Sequence, residues 1–193
     1  MNPLLVAHGT RKADGVAMIA DLADRVGRQL GRRVHTAFVD VLGPTPAEVL
    51  TELPDGPAVV VPAFLASGYH VRVDVPAFVT ASGHPDVTVT EALGPSADIV
   101  RVVVDRLVES GWKPTDSVIM AAADSSVADA VATMRAQGAR RVVVASYLLA
   151  DGLFQDRLHQ SGADVVTAPL VTHPGVARLI ARRFRRARLP ISA

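Results

Sequence analysis

The sequence predicts an α/β fold of two similar parallel-sheet halves, an internal repeat whose second copy lacks one helix–strand unit. Three observations carry this. Short apolar runs bounded by Gly, Pro and Asp alternate with helix-length amphipathic stretches, the pattern of a parallel sheet with helical crossovers. Of the 193 residues, 49% are hydrophobic and only 4% aromatic, a Val-, Ala- and Leu-rich composition suited to strands buried on both faces. Segments of the first half also recur, in the same order, in the second.

Taken in order, "PLLVAH" is the first strand and delivers His8 to its C-terminal end, where Gly9 lets the backbone turn. "ADGVAMIADLADRVGRQL" is the first helix, with Val16, Ile19, Leu22, Ala23, Val26 and Leu30 at a 3.6-residue period. "VHTAFVDVL" follows as a strand with Asp40 late in it, then a helix around Ala47 to Leu53 entered through "GPTP". "AVVVPAFL" and "VTVTEAL" complete the first set of strands, with His70 just past the former in "FLASGYHVRVDVP". "SGWKPTD", punctuated by Gly111, Pro114 and Asp116, divides residues 1–112 from 113–193. Beyond it "SVIMAAA", "RVVVASYLL" and "DVVTAPL" read as strands, and "VADAVATMRAQGARR" as a helix. All seven runs are expected to be buried strands. The chain closes on "RLIARRFRRARLP" with six arginines; Val176, Leu179, Ile180 and Phe184 are spaced for a buried stripe, and the arginines for the solvated faces of a terminal helix.

The repeat pairs "VVVPAFLASGYH" from Val59 with "VVVASYLLADGLF" from Val142, one residue longer in the second copy. "LLVAHGT" pairs with "VIMAAADS", and "TEALGPSADIVRVVVDRL" with "TAPLVTHPGVARLIARRF". The long helix and the strand "VHTAFVDVL" have no second copy. In a flavodoxin-like strand order of 2-1-3-4 the omitted strand is an edge, so the crossover stays right-handed and three strands survive. Its loss opens a new sheet edge that invites cover or pairing, which leaves room for a homodimer.

Composition removes several functions. A formal net charge of +1 gives no global attraction for nucleic acid, and the arginine-rich end has no interleaved aromatics to stack bases. No cysteine is present, so thiolate zinc sites and iron–sulfur clusters are excluded and any metal must meet His, Asp or Glu. No basic region precedes the first apolar run and no run approaches ~20 residues, so neither a signal peptide nor a membrane span is expected; a cytoplasmic protein is the default.

Ligands of doubly wound sheets bind beyond the strand C-termini. His8, Asp40 and His70 fall there, a two-imidazole, one-carboxylate set suited to a divalent transition metal with open positions, or to bases that remove protons near neutral pH. Asp74, four residues after His70, shares its helix face and can accept the far ring N–H, fixing the tautomer. Arg11, Lys12 and Arg72 flank the same mouth, where guanidinium groups suit carboxylate-rich ligands. In the second half the repeat replaces His8 by Ala122 and His70 by Phe154, so one half alone carries the set.

"LLVAHGTR", "FVDVLGPTP" and "VVVPAFLASGYHVRVDVP" resemble the type II chelatases of the sirohydrochlorin and cobalt chelatase family, and "SYLLADGLFQDRL" resembles the second-domain version of the same motif. The resemblance implies a chelatase-type fold and insertion of Fe²⁺ or Co²⁺, as substrate rather than resident cofactor, into a carboxylate-rich tetrapyrrole. It also implies His8 and His70 as the catalytic and metal-binding histidines, with Asp40 standing where many members carry glutamate. Arg11 and Arg72 are then substrate-binding. No Gly-Lys-Ser/Thr phosphate loop is present, against an ATP-dependent chelatase. Two other readings remain: a tetrapyrrole- or metal-binding protein without turnover, suggested by the shortened second half, and, distantly, a histidine phosphatase, whose Arg-His-Gly motif here has Ala7 in place of the arginine. His35, His84, His159 and His173 are read as structural or solvated.

Overall fold

The computed structural model describes residues 1–122 and 126–187. The first half runs β1 (Asn2–Ala7), α1 (Ala13–Leu30), β2 (His35–Phe38), α2 (Pro46–Glu52), β3 (Ala58–Pro62), a π-helical turn (His70–Asp74), α3 (Val75–Ser82), β4 (Val87–Val89) and α4 (Ala97–Glu109). The second runs β5 (Ser117–Ala121), α5 (Val127–Ala136), β6 (Val142–Ser146), α6 (Leu153–His159), β7 (Val165–Val166), a 3₁₀ turn (Leu170–Thr172) and α7 (Pro174–Arg186). Two parallel sheets result, ordered β2-β1-β3-β4 and β5-β6-β7. The second is the first without its β2 edge, as the missing helix–strand unit requires.

Burial follows position in the sheet. β1, β3 and β6 are almost entirely buried, but Val89 of β4 is 39% exposed and Met120 of β5 is 66% exposed. The expectation that all seven runs are buried strands therefore fails at β4 and β5, and β7 is only half-buried. All three are edges, and an edge strand has a neighbour on one side only. The strands are also shorter than the apolar runs: β2 stops at Phe38 and β3 at Pro62, and the remaining apolar residues form loops.

The ladders correct the repeat alignment. Asn2 pairs with Ala58 as Ser117 pairs with Val142, and each opens its strand with the same backbone bond, Asn2 N–H to the Pro57 carbonyl and Ser117 N–H to the Arg141 carbonyl. Val59 therefore corresponds to Val143, not Val142, and no extra residue is needed. "FLASGYH" (64–70) then overlays "LLADGLF" (148–154) without a gap, keeping His70 opposite Phe154. Counting onward from this register, the counterpart of His8 is Ala123 rather than Ala122, and Ala123 lies outside the described residues. Three successive valines in both copies let the sequences slide by one position at no cost; the backbone hydrogen bonds do not.

One hydrophobic core joins the halves. Leu5, Ile19, Leu22 and Val61 of the first half pack in one cluster with Ala145, Leu170, Ile180 and Phe184 of the second. The helices that close the halves cross over, α7 lying against α1, α4 and β3, and α4 against β6. The stripe Val176, Leu179, Ile180 and Phe184 is buried as its period predicts, so α7 is a central strut rather than merely a solvated end. Some of its arginines are tethered: Arg182 pairs with Asp98 at 2.8 Å and Arg185 donates to the Gln29 carbonyl at 2.6 Å. The last of the six, Arg188, lies outside the described residues. No helix among the described residues is long and apolar enough to cross a membrane.

Candidate active site

β1 and β3 are neighbouring central strands, so the loops after them leave the sheet side by side. The β1 loop puts His8 at the surface immediately after five buried residues. Gly9 must follow it: its φ is 97°, and a Cβ there would stand 2.2 Å from the Asp40 carbonyl oxygen. The Asp40 N–H donates to the His8 carbonyl at 3.1 Å, locking this turn to the chain beyond β2.

The β3 loop brings His70 back through a π-helical turn, whose wider winding is frequent at functional sites. The His8 and His70 rings meet edge to face, centroids 4.6 Å apart and planes at 90°, while the Phe64 ring lies 6.2 Å from His70. His70 Nδ1 is 2.5 Å from Asp74 Oδ2 and His8 Nδ1 is 3.2 Å from the Gly9 carbonyl. Carboxylate and carbonyl can only accept, so in the neutral rings Nδ1 carries the proton and Nε2 keeps its lone pair in both. Two Nε2 donors are thus left for an ion or a proton. Among the described residues no group of three or more His, Cys, Asp or Glu is arranged to hold a metal ion.

Asp40 is not in a strand. It sits exposed in the turn past β2, where its Oδ1 accepts from the Val41 N–H at 2.7 Å and Val41 takes a φ of 70°. Nor does it cap α2, because Thr45 and Glu48 form a reciprocal capping box; hydrogen bonds from Thr45 hold the Glu48 carboxyl below its usual value. His70 begins the π-helical turn that follows the β3 loop, with Asp74 at its end. Arg11 lines the cleft described next, whereas Arg72 is exposed on the π-helical turn and is not among the lining residues.

A cleft of about 760 Å³ opens beside His8, between the halves. Phe64, Leu65 and Phe38 form one side and Leu148, Leu149 and Phe154 the other, so its walls are mainly apolar. The halves are fastened around it. Lys12 pairs with Asp156 of α6, which takes up one of the three cations expected to flank the mouth. The Tyr147 hydroxyl donates to the Leu65 carbonyl at 2.9 Å, and burial pushes this phenol above its ordinary value, so it stays protonated and able to donate. The repeat leads us to expect the second half to close the cleft, but it does not name the residues of this wall; the signal for them is the gapless match of "FLASGYH" to "LLADGLF".

The remaining histidines stand apart. His35 opens β2, with burial and Arg33 lowering its pKa, and His84 accepts from the Asp86 N–H. His159 ends α6 exposed, and His173, 6% exposed, caps α7 by accepting from the Gly175 N–H at 3.1 Å.

Comparison with known proteins agrees with this architecture. The CbiX family model matches residues 2–110 and again 108–187. A sirohydrochlorin cobaltochelatase of Methanothermobacter thermautotrophicus is 28% identical over 126 residues, covering 54% of this chain and 88% of that protein. SirB from Bacillus subtilis with Fe³⁺ superposes with a TM-score of 0.75 at 16% identity, over 97% of this chain and 96% of that one. CbiX, described as the terminal enzyme for biosynthesis of siroheme in denitrifying bacteria, superposes with a TM-score of 0.67 at 18% identity, over 98% and 100%. At these identities the structures establish a shared fold.

Proposed function

The chain belongs to the CbiX family, and from that membership we propose that it is a sirohydrochlorin chelatase, inserting Fe²⁺ or Co²⁺ into a carboxylate-rich tetrapyrrole without ATP. One observation carries the reading: His8, which lines the apolar cleft, and His70 from a separate loop stand ring to ring 4.6 Å apart, each with Nε2 unpartnered among the described residues.

The chemistry follows from that pair. A macrocycle must lose two inner N–H protons as a divalent ion enters, so the site needs weak, exchangeable ligands and a base within reach. Two neutral imidazoles supply both, because a lone pair that releases the ion can next take a proton. A closed four-ligand cage would hold the metal instead. Asp74 keeps His70 in the tautomer that presents Nε2. Arg11 at the cleft, with Arg72 nearby on the π-helical turn, suits the substrate's carboxylates. Asp40, with one oxygen held by its own turn, is assigned a supporting role near His8. In this reading residues 1–112 carry the reactive groups and 113–193 supply the opposite wall.

Imidazole accepts both ions, so the ligand set admits iron for siroheme and cobalt for cobalamin. Anaerobic absorbance spectra of sirohydrochlorin with Fe²⁺ or Co²⁺, with and without protein, test the proposal and choose the metal. Insertion no faster than the spontaneous rate for both ions would leave a binding protein without turnover.

A further inference from the structure

The corrected repeat register puts Phe154 where the first half has His70, and Leu153 where it has Tyr69. Phe154 is 44% exposed and Leu153 57% exposed, yet both line the same cleft as His8. An aromatic ring left this open on the wall of a cleft gains nothing from the protein core; a flat apolar ligand would cover it. α6 is anchored beside the His8 loop by the Lys12–Asp156 ion pair, two residues beyond Phe154, so the ring faces a fixed opening. The Arg157 guanidinium lies over the Phe154 ring, 5.6 Å from its centroid, and makes no ion pair among the described residues. An exposed aromatic ring stacked against a guanidinium that has no carboxylate partner among the described residues matches a conjugated macrocycle bearing carboxylates on its rim.

We propose that Phe154 and Arg157 form a macrocycle-holding element on the second half: Phe154 packs on the face of the tetrapyrrole, and Arg157 pairs with a peripheral carboxylate. The repeat has thereby divided labour. One copy keeps the imidazole that handles the ion, and the other has exchanged it for a ring that holds the macrocycle. This rests on the chelatase reading and adds to it the residues that hold the substrate opposite the histidines.

The test titrates metal-free uroporphyrin, an octacarboxylate, and coproporphyrin, a tetracarboxylate, into the full chain by fluorescence, and Co²⁺ separately by calorimetry. Phe154→Ala is expected to weaken both porphyrins about tenfold, the scale of one lost aromatic contact, with Co²⁺ binding unchanged. Phe154→Trp restores porphyrin binding. Arg157→Gln weakens the octacarboxylate more than the tetracarboxylate, and the difference shrinks in high salt. Wild-type porphyrin affinity in Phe154→Ala overturns the assignment of that residue while leaving the chelatase reading intact, and equal losses for both porphyrins overturn the role of Arg157. Failure of the wild-type chain to bind either porphyrin overturns the chelatase reading, and this inference with it.

Discussion

Replacing Asp74 by Asn tests how the site prepares its ligand. The carboxylate accepts a 2.5 Å hydrogen bond from His70 Nδ1, with both side chains about one-quarter to one-third exposed. A charge-assisted bond of this kind contributes about 1.5–3 kcal/mol. Asparagine removes the charge, and its amide can turn to donate to Nδ1, which moves the ring proton onto Nε2 and blocks the lone pair. At about 1.4 kcal/mol per factor of ten, the loss in Co²⁺ affinity should be roughly 10- to 100-fold, with insertion slowed in proportion. Calorimetry with Co²⁺ and anaerobic insertion kinetics on Asp74→Asn and Asp74→Glu give the readout, Glu recovering part of the loss because it restores an acceptor. Circular dichroism should match wild type. If Asp74→Asn binds Co²⁺ and turns over as wild type does, the tautomer argument is wrong.

Other perturbations have equally definite outcomes. His8→Ala and His70→Ala should each cut insertion on the order of 100-fold or more with the fold preserved, and full activity in either variant removes that residue from the mechanism. Asp40→Asn should cost less, since its side-chain oxygen still accepts from the Val41 N–H; a loss as large as that of His8→Ala would make the charge itself catalytic. Gly15→Ala places a Cβ 2.3 Å from the Asp151 carbonyl oxygen, forcing the second-half loop away. It should destabilise by about 1–3 kcal/mol, or roughly 2–4 °C of Tm per kcal/mol, and an unchanged melting curve would show that the halves are not clasped there. The Val142 N–H and Arg135 hold Asp164 below its ordinary 3.8, so its stabilisation is complete above that value and is lost as pH falls through the lower folded value. Asp164→Asn should therefore flatten the acid limb of stability against pH in urea titrations, and an identical limb would assign the acid sensitivity to other groups.

Residue type and local spacing carried much of this protein. The period of α1, the buried stripe of α7, the missing helix–strand unit and the candidacy of His8, His70 and Asp74 were legible because each depends on neighbours a few positions away. The chelatase motifs added the reading of the histidine pair. Where strands ended was not legible: apolar residues beyond Phe38 and Pro62 look like more strand but leave the sheet as loops, which moved Asp40 into a turn.

The sequence by itself determined which residues could do chemistry and which faces must be buried, since side-chain chemistry and hydrophobic period are written residue by residue. Tertiary structure alone decided the register of two runs of valine, the perpendicular meeting of two imidazoles sixty-two positions apart, and the apolar wall that the second half turns toward them. The reason is that backbone hydrogen bonds and loop closure act through space between distant segments, and no local pattern of residues encodes where those segments meet.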